Sequence, residues 1–216
     1  MQHVFVESNW IFDYAAPAHH RSQAAVELLD RAQSGEFTLH IPNCCIGEAR
    51  KAILEKCQPR KEASAIREFL AHAESSNQIT KNNAAIVRTH LQQYEQSIQG
   101  DLVQLDEKLR ALASLGHVKL FGLDDEMLRR ATQLEIEGIH LKPYDQAILA
   151  GILVSAERLW NSGERILSFC VTDADLQPWN RDGGPKIRLV EAYNSAHVWV
   201  YEDFTMTHDP RPLGFE

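Results

Sequence analysis

The sequence predicts an α/β fold: a three-layer α/β/α sandwich on a central, mainly parallel sheet, read as one domain over residues 1–216 with a helical elaboration at about residues 58–116. Three observations predict it. Short runs rich in β-branched and aromatic residues alternate with stretches of helical periodicity, the order that builds a parallel sheet covered by helices. The first run, His3-Val4-Phe5-Val6, stops abruptly at Glu7-Ser8-Asn9, as a buried strand does where it surfaces at its carboxyl end. A chain of 216 residues is also long enough to bury a core without disulfides or structural metals.

The elements follow in order. After the first strand, Asn9 can cap a short helical turn through Phe12, and a helix is expected from about His20 to Ser34, ended by Gly35. Phe37-Thr38-Leu39-His40-Ile41 reads as the second strand, closed by Pro42 and Asn43. The next helix carries Cys45, Ala49, Ala52 and Ile53 on one stripe with Glu48 beside it, and a carboxylate that close to an apolar face needs a partner. From Arg60 to Leu115 the pattern is helical throughout, with joints expected at Ser75-Ser76-Asn77 and at Gly100-Asp101. His117–Phe121 is the third strand, and Asp124-Asp125-Glu126 is an acidic helix start suited to the positive end of the helix dipole. Pro143 opens a further helix with Ile148, Ile152, Ser155 and Leu159 on its buried side. Arg165–Val171 is a strand ending in Thr172-Asp173-Ala174-Asp175; a loop with Gly183-Gly184-Pro185 follows, and His197–Tyr201 closes the sheet.

Composition excludes several classes. The opening turns polar too soon after Val6 to be a signal peptide, and no apolar stretch approaches the length of a membrane span, so no membrane partner and a cytoplasmic location are expected. None of the four cysteines shows a Cys-x-x-Cys spacing, which favours reduced thiols over a zinc site or a disulfide framework. A net charge of −8 argues against uniform wrapping in nucleic acid but leaves room for one locally basic face.

Four acids stand at related places. Glu7 follows the first strand, Glu48 lies in the helix after the second, Asp145 lies in the first turn of a helix, and Asp173 follows the fourth strand with Asp175 close behind. Gathered together they would repel and raise one another's pKa values unless a divalent cation sat between them. Oxygen-only ligands suit Mg²⁺ or Mn²⁺ rather than zinc. Bound beside a phosphodiester, such an ion acidifies water, polarises the phosphoryl oxygen and stabilises the leaving oxygen.

These stretches carry a family resemblance. VFVESNWIFDY resembles the opening of PIN-domain nucleases, IPNCCIGEARKAI their second motif, KPYDQAILAGIL the third and FCVTDADL the fourth. The resemblance spans nearly the whole chain outside the helical elaboration. It implies a PIN-like domain acting as a Mg²⁺- or Mn²⁺-dependent endoribonuclease with an RNA substrate. Such enzymes are often the toxin of a toxin–antitoxin pair, so an antitoxin protein is an expected partner and a homodimer the expected assembly. Carried onto this chain, Glu7, Glu48, Asp145 and Asp173 become the catalytic, metal-holding acids and Asp175 an auxiliary ligand. The family's first acid is usually aspartate, and Glu7 is one methylene longer. The competing reading is therefore a PIN-like protein of weak or no catalysis that binds RNA or a protein partner.

Supporting residues have plain readings beside functional ones. Asn9 is expected to orient Glu7 or to cap a helix, and Thr172 to orient Asp173 or to finish a strand. Asp145 alone reads equally as a helix-dipole acid, and Asp173-Ala174-Asp175 alone as a turn or the Asp-x-Asp of a nucleotide-sugar transferase, a reading that leaves the other acids idle. Arg50, Lys51, Lys142 and Arg181, with Lys186 and Arg188, are candidate phosphate contacts or a solvated face, and Trp10 and Trp179 candidate base-stacking rings or packing residues.

Overall fold

The structure, a computed structural model, describes residues 1–211. Among the described residues five strands are formed: β1 (Gln2–Val6), β2 (Phe37–Pro42), β3 (Val118–Phe121), β4 (Ile166–Cys170) and β5 (Val198–Tyr201). They make one sheet in the order β3-β2-β1-β4-β5, and every neighbouring pair is parallel, with Gln2 opposite both Phe37 and Ile166. Val4, Phe5 and Val6 are fully buried and every residue of β2 is buried, the pattern of strands covered on both faces.

The helices are α1 (Ser8–Ala15), α2 (Gln23–Gln33), α3 (Asn43–Lys56), α4 (Pro59–Glu62), α5 (Ser64–Ser75), α6 (Lys81–Val103), α7 (Leu105–Leu112), α8 (Asp125–Ile136), α9 (Pro143–Asn161) and α10 (Ile187–Ser195). Helices α1, α2, α3 and α7 pack on one another, α8 packs on α9, and the sheet lies between helices in a three-layer α/β/α sandwich. Helix α9 is the most deeply enclosed. Ile148, Leu149, Ile152 and Leu153 are each at most 1% exposed, a burial that contributes about 1.5–3 kcal/mol per side chain.

Several expectations are corrected. Helix α1 does not stop at Phe12 but runs to Ala15, and its cap is Glu7 rather than Asn9. No break occurs at Gly100-Asp101; α6 continues to Val103, and the joint falls at Gln104. The expected elaboration also divides. Leu105, Leu109 and Leu112 of α7 join the central core, whereas α5 and α6 pair on each other and leave Ile66, Phe69 and Ile86 exposed. The expected stripe on α9 is too narrow, because that helix is buried on more than one side, and between the Gly183-Gly184-Pro185 loop and β5 the chain forms α10, for which the sequence reading has no element, with Leu189, Ala192 and Tyr193 buried at helical spacing. The acidic start of α8 behaves as expected: Asp124 caps it, accepting from the amides of Glu126 and Met127.

Topology decides where a site can form. Successive strands step outward from β1 to β2 to β3, and the chain then crosses to β4 on the far side of β1. The order therefore reverses between β1 and β4, and in open parallel sheets a ligand crevice lies beyond the carboxyl ends of the strands at such a reversal. Val6 and Cys170 are paired at that edge. Glu7 and Asp173 lie just past them.

Candidate active site

Glu7 is delivered by the strand before it and fixed by the helix after it. The apolar run Val4-Phe5-Val6 carries the chain to the sheet edge, where Glu7 is only 2% exposed. Its extended backbone makes it the N-cap of α1: Oε2 accepts from the Asn9 amide at 2.6 Å and from the Ser8 hydroxyl at 3.1 Å. Oε1 is buried and has no hydrogen-bond partner. Burial pushes the Glu7 pKa up to about 8 against the pull of those two hydrogen bonds, with the charges of Asp173 and Glu48 adding to the rise.

Glu48 comes from α3, where Asn43 begins the helix directly after Pro42 and the buried residues Cys45, Ala49 and Ile53 fix the face turned to the core. Glu48 sits beside that face, and its Oε2 is likewise buried without a hydrogen-bond partner. Asp145 lies in the first turn of α9, whose Pro143 is at the start of the helix. Its pKa is raised, by burial first and then by Asp173 and Glu48, with Lys142 opposing and Asp175 adding. Asp173 follows β4 in a turn closed by the Asp175 amide donating to Oδ1 at 2.8 Å and by the amides of Leu176 and Gln177 donating to its carbonyl. That turn is anchored from below, where the buried Tyr193 hydroxyl donates to the Leu176 carbonyl at 2.7 Å and Gln177 Nε2 donates to the Val171 carbonyl at 3.1 Å.

Acids from four separate elements thus share one electrostatic neighbourhood at the carboxyl edge of the sheet. Among the described residues, however, no group of three or more His, Cys, Asp or Glu side chains is arranged to hold a metal ion. The donor chemistry nonetheless fits a hard cation: two buried carboxylate oxygens, Glu7 Oε1 and Glu48 Oε2, have no partner, and Mg²⁺ characteristically takes one or two carboxylates and fills the rest of its shell with water and phosphate oxygens.

The supporting residues differ from expectation in detail. Asn9 is exposed and reaches Glu7 through its backbone amide. Thr172 is exposed, and the hydrogen bond to the Asp173 carboxylate comes from Asp175 instead. Arg50 is held by Asp106 of α7, through Nε at 2.6 Å and Nη2 at 3.1 Å, and Lys51 lies 3.9 Å from Glu55. Lys142 stands close enough to Asp145 to oppose the rise in its pKa, and Arg181 is exposed on the loop before α10. Trp10 is fully buried, donates to the Ala25 carbonyl at 3.1 Å and stacks on Tyr14, so it is a packing residue. Trp179 lines a surface cavity.

Sequence reasoning missed Ser8 and Tyr193, which hold Glu7 and the Asp173 turn. Ser8 beside the acid was a legible signal. Tyr193 was not, because its partner is a backbone carbonyl distant in sequence. Cys44 and Cys45 also adjoin the site: Tyr144 donates to the Cys44 carbonyl, and the Cys45 thiol is pushed upward by its hydrogen bond with Cys44, by burial and by the charges of Glu7 and Glu48. All four cysteines are free thiols. No helix among the described residues is long and apolar enough to cross a membrane. Comparison of the chain with protein-family models, with curated proteins and with solved structures gives no match.

Proposed function

We propose that the protein is a Mg²⁺- or Mn²⁺-dependent endoribonuclease of the PIN type, with Glu7, Glu48, Asp145 and Asp173 as its working acids. The observation that carries the reading is the pair of unpartnered, buried carboxylate oxygens on Glu7 and Glu48, brought from different elements to the crevice where the sheet order reverses. Leaving two such groups without partners is costly, and a pocket built that way is suited to an opposite charge. A divalent cation, when bound, supplies a more acidic water and stabilisation of the charge that develops on the phosphodiester. The Ser8 hydroxyl and Asn9 amide hold Glu7 Oε2, which leaves the buried Oε1 as the oxygen without a partner. The Asp175 amide fixes the Asp173 carboxylate, and Lys142 offsets part of the charge on Asp145.

The test is cleavage. Purified protein is expected to cut single-stranded RNA with Mn²⁺, to stop on addition of EDTA and to lose activity in Asp145→Asn, while calorimetry with Mn²⁺ alone shows binding that Glu48→Gln weakens. A second reading, a PIN-like protein that binds RNA or a protein partner with little catalysis, is favoured by one observation: among the described residues no group of three or more His, Cys, Asp or Glu side chains is arranged to hold a metal ion. Mn²⁺ binding without cleavage would select it. The proposal carries with it the expected homodimer, cytoplasmic location and antitoxin partner, of which sedimentation of the purified chain tests the first.

A further inference from the structure

A cavity of about 440 Å³ opens beside the acids, with Trp179, Arg181, Lys186 and Arg211 in its wall together with Asp175 and Glu202. Its floor is a small hairpin: Trp179 pairs antiparallel with Pro185, the Asn180 amide donates to the Gly184 carbonyl at 2.7 Å, and the Lys186 amide donates to the Pro178 carbonyl at 2.9 Å. The opposite wall is the tail, where the Arg211 amide donates to the Val200 carbonyl at 2.8 Å and sets its guanidinium 5.8 Å from the centre of the Trp179 ring. Lys186 Nζ donates to the Ala174 carbonyl, which leaves two of its three protons for another acceptor. Three cations stand against two acids around one indole. A second cavity of about 620 Å³ shares Asp175 and Lys186 with the first and has Lys142 and Arg188 in its wall.

We propose that the hairpin cavity is a nucleotide subsite on the path of a single-stranded polynucleotide: an unpaired base packs on the Trp179 indole, and its phosphate is met by Arg181 and Lys186. The identity of the ligand rests on the nuclease reading of the neighbouring acids; the cavity itself does not. Its volume lies within the range of small-ligand pockets, an aromatic ring beside guanidinium groups is the usual platform for an unstacked base, and a base locked in a duplex has no face to offer it. The position fits a strand passing the acids, because the Asp175 that lines both cavities is the residue whose amide holds Asp173. The cations differ in availability from Arg50, whose guanidinium is held by Asp106.

The test is fluorescence anisotropy of a short labelled single-stranded oligonucleotide in EDTA, where no cutting occurs, as a function of salt. Trp179→Ala is expected to weaken binding at least about fivefold and Trp179→Phe to restore most of it, as base–aromatic stacking requires. Arg181→Ala, on an exposed side chain that the core does not need, is expected to lower the slope of log affinity against log salt by about 0.7. RNA and DNA arms that bind alike support recognition of base and phosphate alone; tighter RNA binding supports added contact with the 2′-hydroxyl. Equal affinity of Trp179→Ala and wild type, a duplex that binds as tightly as the single strand, or no binding by the wild type would each overturn the subsite. Cleavage with Mn²⁺ judges the acids separately.

Discussion

Replacing Glu7 by Gln tests whether the first acid is a frustrated group awaiting a positive partner. In the folded protein its carboxyl titrates at about 8, against an ordinary value of 4.5, because it is 2% exposed and faces Asp173 and Glu48. Between those two values the native state holds a proton that the unfolded chain releases, so stability is fully present below 4.5 and is lost as pH rises through 8. At about 1.4 kcal/mol per unit, the wild type loses about 3–4 kcal/mol from this group between pH 5 and pH 8. Glutamine keeps an oxygen to accept from the Asn9 amide and has no charge to desolvate, so Glu7→Gln should lack that loss. Urea unfolding of both proteins in EDTA at the two pH values measures the difference. Parallel stability profiles would refute the reasoning, since they would mean that Glu7 is not kept protonated by its surroundings. If the proposed cation site is real, Mn²⁺ should recover the wild type at pH 8 and leave Glu7→Gln nearly unmoved.

Three further outcomes are expected. His40 of β2, buried beside His3 and Lys119, has its pKa pressed down to about 3, so its stability contribution is present above 6.5 and falls by about 1.4 kcal/mol per unit as pH drops toward 3; acid unfolding followed by circular dichroism should be shallower in His40→Gln. Tyr193→Phe leaves the buried Leu176 carbonyl without its donor, at a cost of about 1–3 kcal/mol in chemical unfolding, and loosens the turn that carries Asp173, so RNA cleavage should fall with it. Gly151→Ala places a methyl 2.7 Å from Leu123 Cδ2, with Phe121 behind at 3.5 Å; the Leu123 side chain must yield, and thermal unfolding should report about 1–3 kcal/mol of overpacking with the acids untouched.

The fold was legible because its signals are local. Each strand announced itself within four to six residues of apolar, β-branched sequence, and Pro143 and Asp124 marked the helix starts they occupy. Errors arose where two local signals competed. Asn9 is a good cap by residue type, but Glu7, already extended at the end of β1, starts the helix earlier by accepting from the Asn9 amide itself. Gly100 weakens a helix without ending it, since the side chains on either side still pack, with Ile98 and Leu105 buried. Helix α10 was lost in the shadow of the Gly183-Gly184-Pro185 loop before it.

For the site, the sequence could name candidate acids, cations and rings but not their partners. Residue type and position put Glu7, Asp145 and Asp173 at strand and helix ends and Glu48 beside the apolar face of its helix, since period and punctuation are written along the chain. That Glu7 and Glu48 each retain a buried oxygen with no partner, that Arg50 is tied to Asp106, and that Trp179, Lys186 and Arg211 wall one cavity were decided only when segments apart in the sequence folded together. Burial and hydrogen-bond satisfaction depend on what arrives from elsewhere in the chain, and pairs such as Arg50 with Asp106 lie in no common window of sequence.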